Sequence, residues 1–180
     1  DGVSKKMISR HRHVFGDAVA ATPDDVVNIW EQVKKKEKGM ETQTQVLKSV
    51  PANLPALMRS FKVQEKAAQA GFDWADVKDA FLKIKEEDKE LEEAYHAGDA
   101  ASIQEELGDL LFAVVNVSRF LKVQPELALT STVNKFIRRF DYVETKALEQ
   151  GLKMENISLK ELDALWDEAK RLERAQEGEK

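Results

Sequence analysis

The sequence predicts an all-α protein, a helical bundle, and three observations support this fold class. Glycine and proline are scarce, with 8 and 4 copies in 180 residues, whereas the strong helix formers Ala, Leu, Glu and Lys are abundant. Helix-start and helix-end signals recur, and no segment shows the sustained alternation of a strand. The predicted helices have more apolar faces than one small domain can bury, so we expect dimerisation to complete the bundle.

Capping and turn signals set the helix boundaries. Thr22 precedes a first-turn proline, Gly71 stands where a helix ends, and Ser158 opens a capping box with Glu161. Together such signals predict helices over residues 3–13, 22–38 and 54–70, a helix that Asp73 or Asp76 opens and that ends near 96, a helix over 99–122 capped by Asp99, a helix over 125–150, and a last helix from 158. Residues 39–53 are expected to form a linker and residues 173–180 a frayed tail.

Composition narrows the function classes. A net charge of -5 and a pI of about 5.4 argue against a nucleic-acid polymer as partner. The chain has no cysteine, no signal peptide is evident, and the longest apolar run, residues 110–115, is too short to span a membrane. We therefore expect a cytoplasmic protein without a membrane segment. The start at Asp1-Gly2, directly before a helical pattern, indicates a fragment.

A faint internal repeat links the two ends of the chain. Lys6–Val14 resembles Lys135–Val143, and each basic helix is followed by a helix carrying Trp-x-x-x-Lys, at 30–34 and at 166–170. Chance similarity between amphipathic helices is one explanation. The other is a tandem duplication whose first copy begins before residue 1.

Two acidic clusters interrupt the apolar faces of neighbouring helices. The helix predicted to end near residue 96 has an apolar stripe at Val77, Phe81 and Ile84, which continues at Leu91 and Tyr95. Between these two groups the stripe should have another apolar residue, but the sequence is acidic there. Glu87 stands there, and Glu90 lies one turn later on the same face. Trp74, just before this helix, is expected to be a core residue.

The second cluster precedes an apolar run. Glu106 and Asp109 share a face, and residues 110–117 are apolar on nearly every side, which predicts a helix buried over most of its surface. A short turn joins the two helices, so all four carboxylates are expected to converge in a hairpin. Such an all-oxygen site suits Mg²⁺ or Mn²⁺. A solvated acidic face is the alternative. A di-iron site would need a Glu-x-x-His motif, which neither cluster has. An EF-hand would need its calcium-binding loop, which is missing from the sequence.

The order of these motifs resembles the all-α nucleoside triphosphate pyrophosphohydrolase superfamily, and within it the MazG family. The stretches that carry the resemblance, which covers about residues 50–172, are Leu54–Arg59, Gly71–Trp74, Glu105–Phe112 and Lys135–Phe140. MazG proteins typically hold two such domains. The resemblance thus implies that residues 1–38 are the last helices of a truncated first domain, 39–53 a linker and 54–172 a complete second domain.

The resemblance also implies an activity, the Mg²⁺-dependent hydrolysis of nucleoside triphosphates to a monophosphate and pyrophosphate. The residues it implies as metal ligands are Glu87, Glu90, Glu106 and Asp109. Glu86 and Glu105 are then outer-shell groups or a base for the attacking water. The alternatives are a non-catalytic helical dimerisation or interaction module with a degenerate site, and a pyrophosphohydrolase for dUTP or another modified nucleotide.

Phosphate groups also need hydrogen-bond donors. Lys135, Arg138 and Arg139 form one basic helix face, while Trp166 and Lys170, one turn apart, offer a stacking surface and a further cation. A solvated basic face and a core tryptophan are the structural alternatives. MazG proteins can carry a basic residue shortly before the Glu-Glu-x-Gly-Asp motif, but residues 101–104 here contain none.

Overall fold

The computed structural model describes residues 2–10, 12–15, 22–37 and 39–178, and no strand occurs among them. The helices are α1 Gly2–Arg10, α2 Arg12–Phe15, α3 Pro23–Glu37, α4 Gln43–Lys48, α5 Ala56–Gln69, α6 Val77–Ala97, α7 Ala100–Phe120, α8 Pro125–Glu149 and α9 Leu159–Gly178, with a 3-10 turn at Met154–Asn156. The predicted all-α class is confirmed. None of the described helices is both long and apolar enough to cross a bilayer.

The helices form two compact units, residues 1–122 and 123–180. In the first unit α6 and α7 pack along each other, α5 packs against α7, α4 against α5, and α1 to α3 contact one another. In the second unit α8 packs against α9. The domain boundaries expected from a duplication differ from this division and stay a prediction.

The hairpin of α6 and α7 depends on local signals that the sequence shows. Gly98 ends α6 in a left-handed conformation, with φ 69°, and Asp99 caps α7 by accepting a hydrogen bond from the Ala101 amide at 3.0 Å. Asp76 caps the start of α6 in the same way. Because the turn is so short, the two helices run antiparallel and the acidic segments of both are brought to one region.

The core of the first unit lies where α5, α6 and α7 meet. Phe61 of α5, Ala80 of α6 and Val115 of α7 are almost fully buried. In the second unit Val143 and Ala147 of α8 are buried, as is Ala169 of α9.

The expected linker and the expected tail are both partly helical. Within 39–53, Thr42 and Gln45 form a capping box that starts α4, and Val46 and Val50 are buried, so this segment packs onto the domain. At the other end α9 continues to Gly178, and its Glu173 is ion-paired, so the tail is not frayed from residue 173. Residues 179 and 180 lie outside the described part.

The burial of α6 and α7 also departs from prediction. On α6 the buried side chains are Ala80, Glu87 and Ala94, whereas Phe81 and Tyr95 are exposed, so the buried stripe is rotated from the expected one. On α7 the residues Leu107, Leu111, Phe112 and Val114 remain about half exposed. The apolar run of α7 is therefore not buried on most of its surface within one chain.

Candidate metal centre

Three carboxylates converge where α6 faces α7. Glu87, Glu106 and Asp109 each offer an oxygen, and these oxygens lie within 4.8 Å of one another. Glu87 is only 4% exposed, although it is charged. This group can hold a metal ion, because it gathers negative charge and oxygen ligands at one point. The structure thus brings together three of the four residues implied as ligands.

The fourth implied ligand, Glu90, lies outside this group, but the charges of the group affect its pKa. Burial raises the pKa of the Glu90 carboxyl above its usual value, and the charges of Glu87 and Glu106 raise it further. The pKa of Glu106 is raised for the same reasons, first by burial and then by Asp109. The carboxylates repel one another, so a cation among them would relieve this repulsion.

Lys83 is a member of the site that the sequence analysis missed. Its ammonium nitrogen lies 2.9 Å from Glu86 Oε1 and 2.5 Å from Glu87 Oε1, and these hydrogen bonds raise the pKa of Lys83. Lys83 therefore offsets part of the charge of the buried Glu87. The signal was present in the sequence, since a lysine four residues before a glutamate reaches it on a helix.

Glu86 and Glu105 flank the centre. Glu86 is more than half exposed, and like Glu87 it forms an ion pair with Lys83. Glu105 is exposed, and its charge contributes to the raised pKa of Glu106. Both lie next to implied ligands, and their roles stay a prediction.

A cavity of about 700 Å³ adjoins the carboxylates. Lys83, Glu87 and Asp109 line one part of it, and its remaining surface is mainly apolar. Two aromatic side chains from the loop between α5 and α6, Phe72 and Trp74, also line it. Trp74 is 48% exposed, so the expectation that it is a core residue is wrong.

The polar side chains of this cavity were also missed. Gln64 is buried at a position where the face of α5 predicts an apolar residue, and its Nε2 donates to the Phe112 carbonyl at 2.8 Å. Arg119 lies over the adjacent loop, where it pairs with both oxygens of Asp73. Asn116 accepts hydrogen bonds from Arg119 through its Oδ1.

The predicted phosphate-binding residues belong to the second unit. Arg139 donates from Nε to Glu173 Oε2 at 2.7 Å and lies over the ring of Trp166, 5.8 Å from its centre. Arg138 approaches Glu173 at 3.5 Å and is mostly exposed. Of the remaining two, Lys170 pairs with Asp167 at 2.9 Å and Lys135 is exposed.

The contacts of Arg139 recur at the other end of the chain. The repeat aligns Arg10 with Arg139 and Trp30 with Trp166, and a glutamate, Glu37 or Glu173, follows seven residues after each tryptophan. Arg10 donates from Nε to Glu37 Oε2 at 2.9 Å and lies 5.5 Å from the Trp30 ring centre. The same three-residue contact therefore occurs in both places, and the duplication stays a prediction.

Comparison with known proteins supports the resemblance. A family model described as the MazG nucleotide pyrophosphohydrolase domain matches residues 76–144, which include both acidic clusters. The Thermotoga maritima nucleoside triphosphate pyrophosphohydrolase/pyrophosphatase MazG is 42% identical over 168 residues, covering 93% of this chain and 63% of that protein. The Escherichia coli K12 nucleoside triphosphate pyrophosphohydrolase is 40% identical over 173 residues, covering 95% of this chain and 66% of that protein.

A third relative differs in size. The uncharacterized protein YabN of Bacillus subtilis is 48% identical over 177 residues, which cover 96% of this chain but 35% of YabN. This chain therefore spans less than two thirds of each of these three relatives. The matched regions nevertheless include the carboxylate hairpin, and the chain belongs to the MazG family of nucleotide pyrophosphohydrolase domains.

Proposed function

We propose that this chain hydrolyses nucleoside triphosphates to nucleoside monophosphates and pyrophosphate. The observation that carries the proposal is the convergence of Glu87, Glu106 and Asp109 beside a cavity, in a chain of the MazG family. Two of its relatives are named as nucleoside triphosphate pyrophosphohydrolases.

The donor set fits Mg²⁺, and also Mn²⁺, because all of its members are carboxylate oxygens. Glu87, Glu106 and Asp109 would hold the ion, with Glu90 as a further ligand. When bound, Mg²⁺ neutralises phosphate charge and stabilises the developing charge on the leaving pyrophosphate. Glu86 and Glu105, next to the ligands, are the candidates to accept the proton of the attacking water.

The proposed phosphate donors are Lys135, Arg138, Arg139 and Lys170, with Trp166 as a stacking surface. Arg138 and Lys135 are exposed and available to an anion. Because Arg139 donates from Nε to Glu173, only its other N–H groups can bind a phosphate. The repeat provides a matched control. Arg139→Gln should raise KM for the triphosphate, while Arg10→Gln, which breaks the corresponding contact, should not.

We further propose a homodimer. Leu107, Leu111 and Val114 form an exposed apolar stripe on α7 at the i, i+4, i+7 spacing, and Leu129, Val133, Phe136 and Phe140 form another on α8. Such stripes are the faces through which helices pack. Light scattering at micromolar concentration should give twice the mass of the chain; a monomer mass would refute the dimer.

A pyrophosphate-release assay across the common NTPs and dNTPs tests the activity. Glu106→Gln and Asp109→Asn should abolish Mg²⁺-dependent release while circular dichroism shows an intact fold. Glu92→Gln, an exposed change on α6 away from the three ligand oxygens, is the matched control and should retain the activity. Full activity in folded Glu106→Gln would refute the assignment of the site. If neither Mg²⁺ nor a non-hydrolysable triphosphate binds in calorimetry, the chain is the non-catalytic module instead.

A further inference from the structure

Lys83 and the candidate metal centre share one carboxylate. The Lys83 ammonium lies 2.5 Å from Glu87 Oε1, and Glu87 is one of the three residues whose oxygens converge to hold an ion. Because Glu87 is only 4% exposed, solvent contributes little to balancing its charge. The charge of this carboxylate is therefore balanced by the lysine, by a metal ion, or by both together.

The two cations oppose each other at this carboxylate. An ammonium group and a divalent ion that bind the same carboxylate lie within a few ångström of each other, so they repel whichever oxygen each of them takes. Burial of Glu87 keeps away most of the water that would screen this repulsion. A metal ion is thus bound more weakly while Lys83 is paired with Glu87.

Lys83 also has a second carboxylate within reach. Its ammonium lies 2.9 Å from Glu86 Oε1, and the Glu86 side chain is 58% exposed and is not one of the three converging ligands. Lysine has a flexible four-carbon stem and three rotatable donors, so the ammonium can leave one carboxylate and keep the other. Glu86 therefore provides a position for Lys83 that does not involve the metal ligands.

We propose that Lys83 competes with the metal ion for Glu87 and thereby sets the metal affinity of this chain, with Glu86 retaining the lysine when the ion binds. This proposal rests on the proposed function, which takes the carboxylates as metal ligands. Two other roles of Lys83 give different results. A lysine that orients Glu87 for the metal strengthens metal binding, and a lysine that only stabilises the fold leaves the metal affinity unchanged.

Titration of the full chain with Mn²⁺ in the absence of nucleotide, followed by the electron paramagnetic resonance signal of free Mn²⁺, tests the competition. Lys83→Met should bind Mn²⁺ about tenfold more tightly than the wild type, because the competing cation is gone. Lys89→Met is the matched control, since Lys89 lies on the same helix and pairs with Glu93 at the same spacing, but is 76% exposed. It should change the affinity by less than about threefold. An affinity of Lys83→Met equal to or below that of the wild type would overturn the proposal.

Thermal unfolding gives an independent measure of the same effect. Mg²⁺ should raise the Tm of Lys83→Met more than that of the wild type, because tighter binding to the folded state stabilises it more. Lys83→Gln serves in both assays should Lys83→Met not fold. An equal or smaller rise of Tm in the variant would count against the competition.

A double-mutant cycle tests the part assigned to Glu86. Glu86→Gln should weaken Mn²⁺ binding in the wild-type background, because Lys83 then has only Glu87 as its partner. In the Lys83→Met background the same change should have a smaller effect, since no lysine remains to compete. Equal effects in the two backgrounds would show that Glu86 does not retain the lysine.

Metal binding is measured without turnover, so failure of this proposal is distinguishable from failure of the proposed function. Wild-type protein that binds Mn²⁺ and releases pyrophosphate, with no gain of affinity in Lys83→Met, refutes the role of Lys83 alone. Tighter binding in Lys83→Met by a chain that hydrolyses no triphosphate supports the competition and refutes the proposed function. If neither protein binds the ion, the metal assignment fails and the competition fails with it.

Discussion

Replacing Gln64 by methionine should make the ligand-free protein more stable. Gln64 has one bonded atom, the Nε2 that donates to the Phe112 carbonyl, and one buried acceptor without a partner among the described residues. Methionine has a similar volume and a similar helix propensity, and it carries no strongly polar atom. The substitution therefore removes one favourable and one unfavourable contribution, and their difference decides the outcome.

The magnitude follows from those two contributions. A buried unsatisfied acceptor costs about 1–3 kcal/mol, whereas a typical intramolecular hydrogen bond contributes about 0.5–1.5 kcal/mol. The mid-values leave a gain of about 1 kcal/mol in the free energy of unfolding. In a chain of 180 residues this corresponds to a rise in Tm of about 2–4 °C.

Thermal and urea unfolding, followed by circular dichroism without nucleotide or metal, measure this effect. Gln69→Met is the reference, because Gln69 lies on the same helix and is exposed. The reasoning is refuted if Gln64→Met is less stable than Gln69→Met by more than about 1 kcal/mol. That result would mean that Oε1 has a partner in the free protein and contributes to its stability.

Three further changes test the packing and the ion pairs. Arg119→Gln breaks the partly buried pair with Asp73 and should lower the free energy of unfolding by about 1–2 kcal/mol in urea titrations; no loss would mean that the loop is held without it. Val115→Ala removes methyl groups from an almost fully buried site and should cost about 2 kcal/mol in the same assay, whereas a loss below about 0.5 kcal/mol would place this side chain outside the core. Because the hydrogen bond from Arg139 lowers the pKa of Glu173, this pair stabilises the fold above the unfolded pKa of about 4.3 and loses its effect as the pH falls through the lower folded value. Glu173→Gln should thus destabilise the protein at pH 7 and progressively less in acid; a loss independent of pH would contradict this account.

The parts of the fold that could be predicted are those specified by short stretches of sequence. Asp99 and Ser158 cap the helices that they were expected to cap, Asp76 is the one of the two candidates that caps α6, and Gly71 and Gly98 adopt the left-handed conformation at helix ends. A cap depends on a few neighbouring residues, so the sequence suffices to place it.

The parts that could not be predicted depend on contacts between distant residues. Whether Trp74 enters a core or lies at a cavity is decided by how α5, α6 and α7 meet. The pairing of Arg119 with Asp73 joins residues 46 positions apart, and no periodic pattern indicates it. The half-exposed apolar residues of α7 likewise follow from how much of this helix one chain can cover.

Polar residues that interrupt an apolar helix face mark more of the candidate site than its carboxylates alone. Glu87 was recognised because it places a charge where the apolar face of α6 predicts a hydrophobic residue, and it is buried there. Gln64 breaks the apolar face of α5 in the same way, since Leu57, Phe61 and Ala68 surround it at helical spacing. A neutral amide carries no charge, but like a carboxylate it needs a hydrogen-bond partner when it is buried. Departures from an apolar pattern therefore indicate buried polar groups, and in this chain the charged one belongs to the candidate metal centre and the neutral one lines the adjoining cavity.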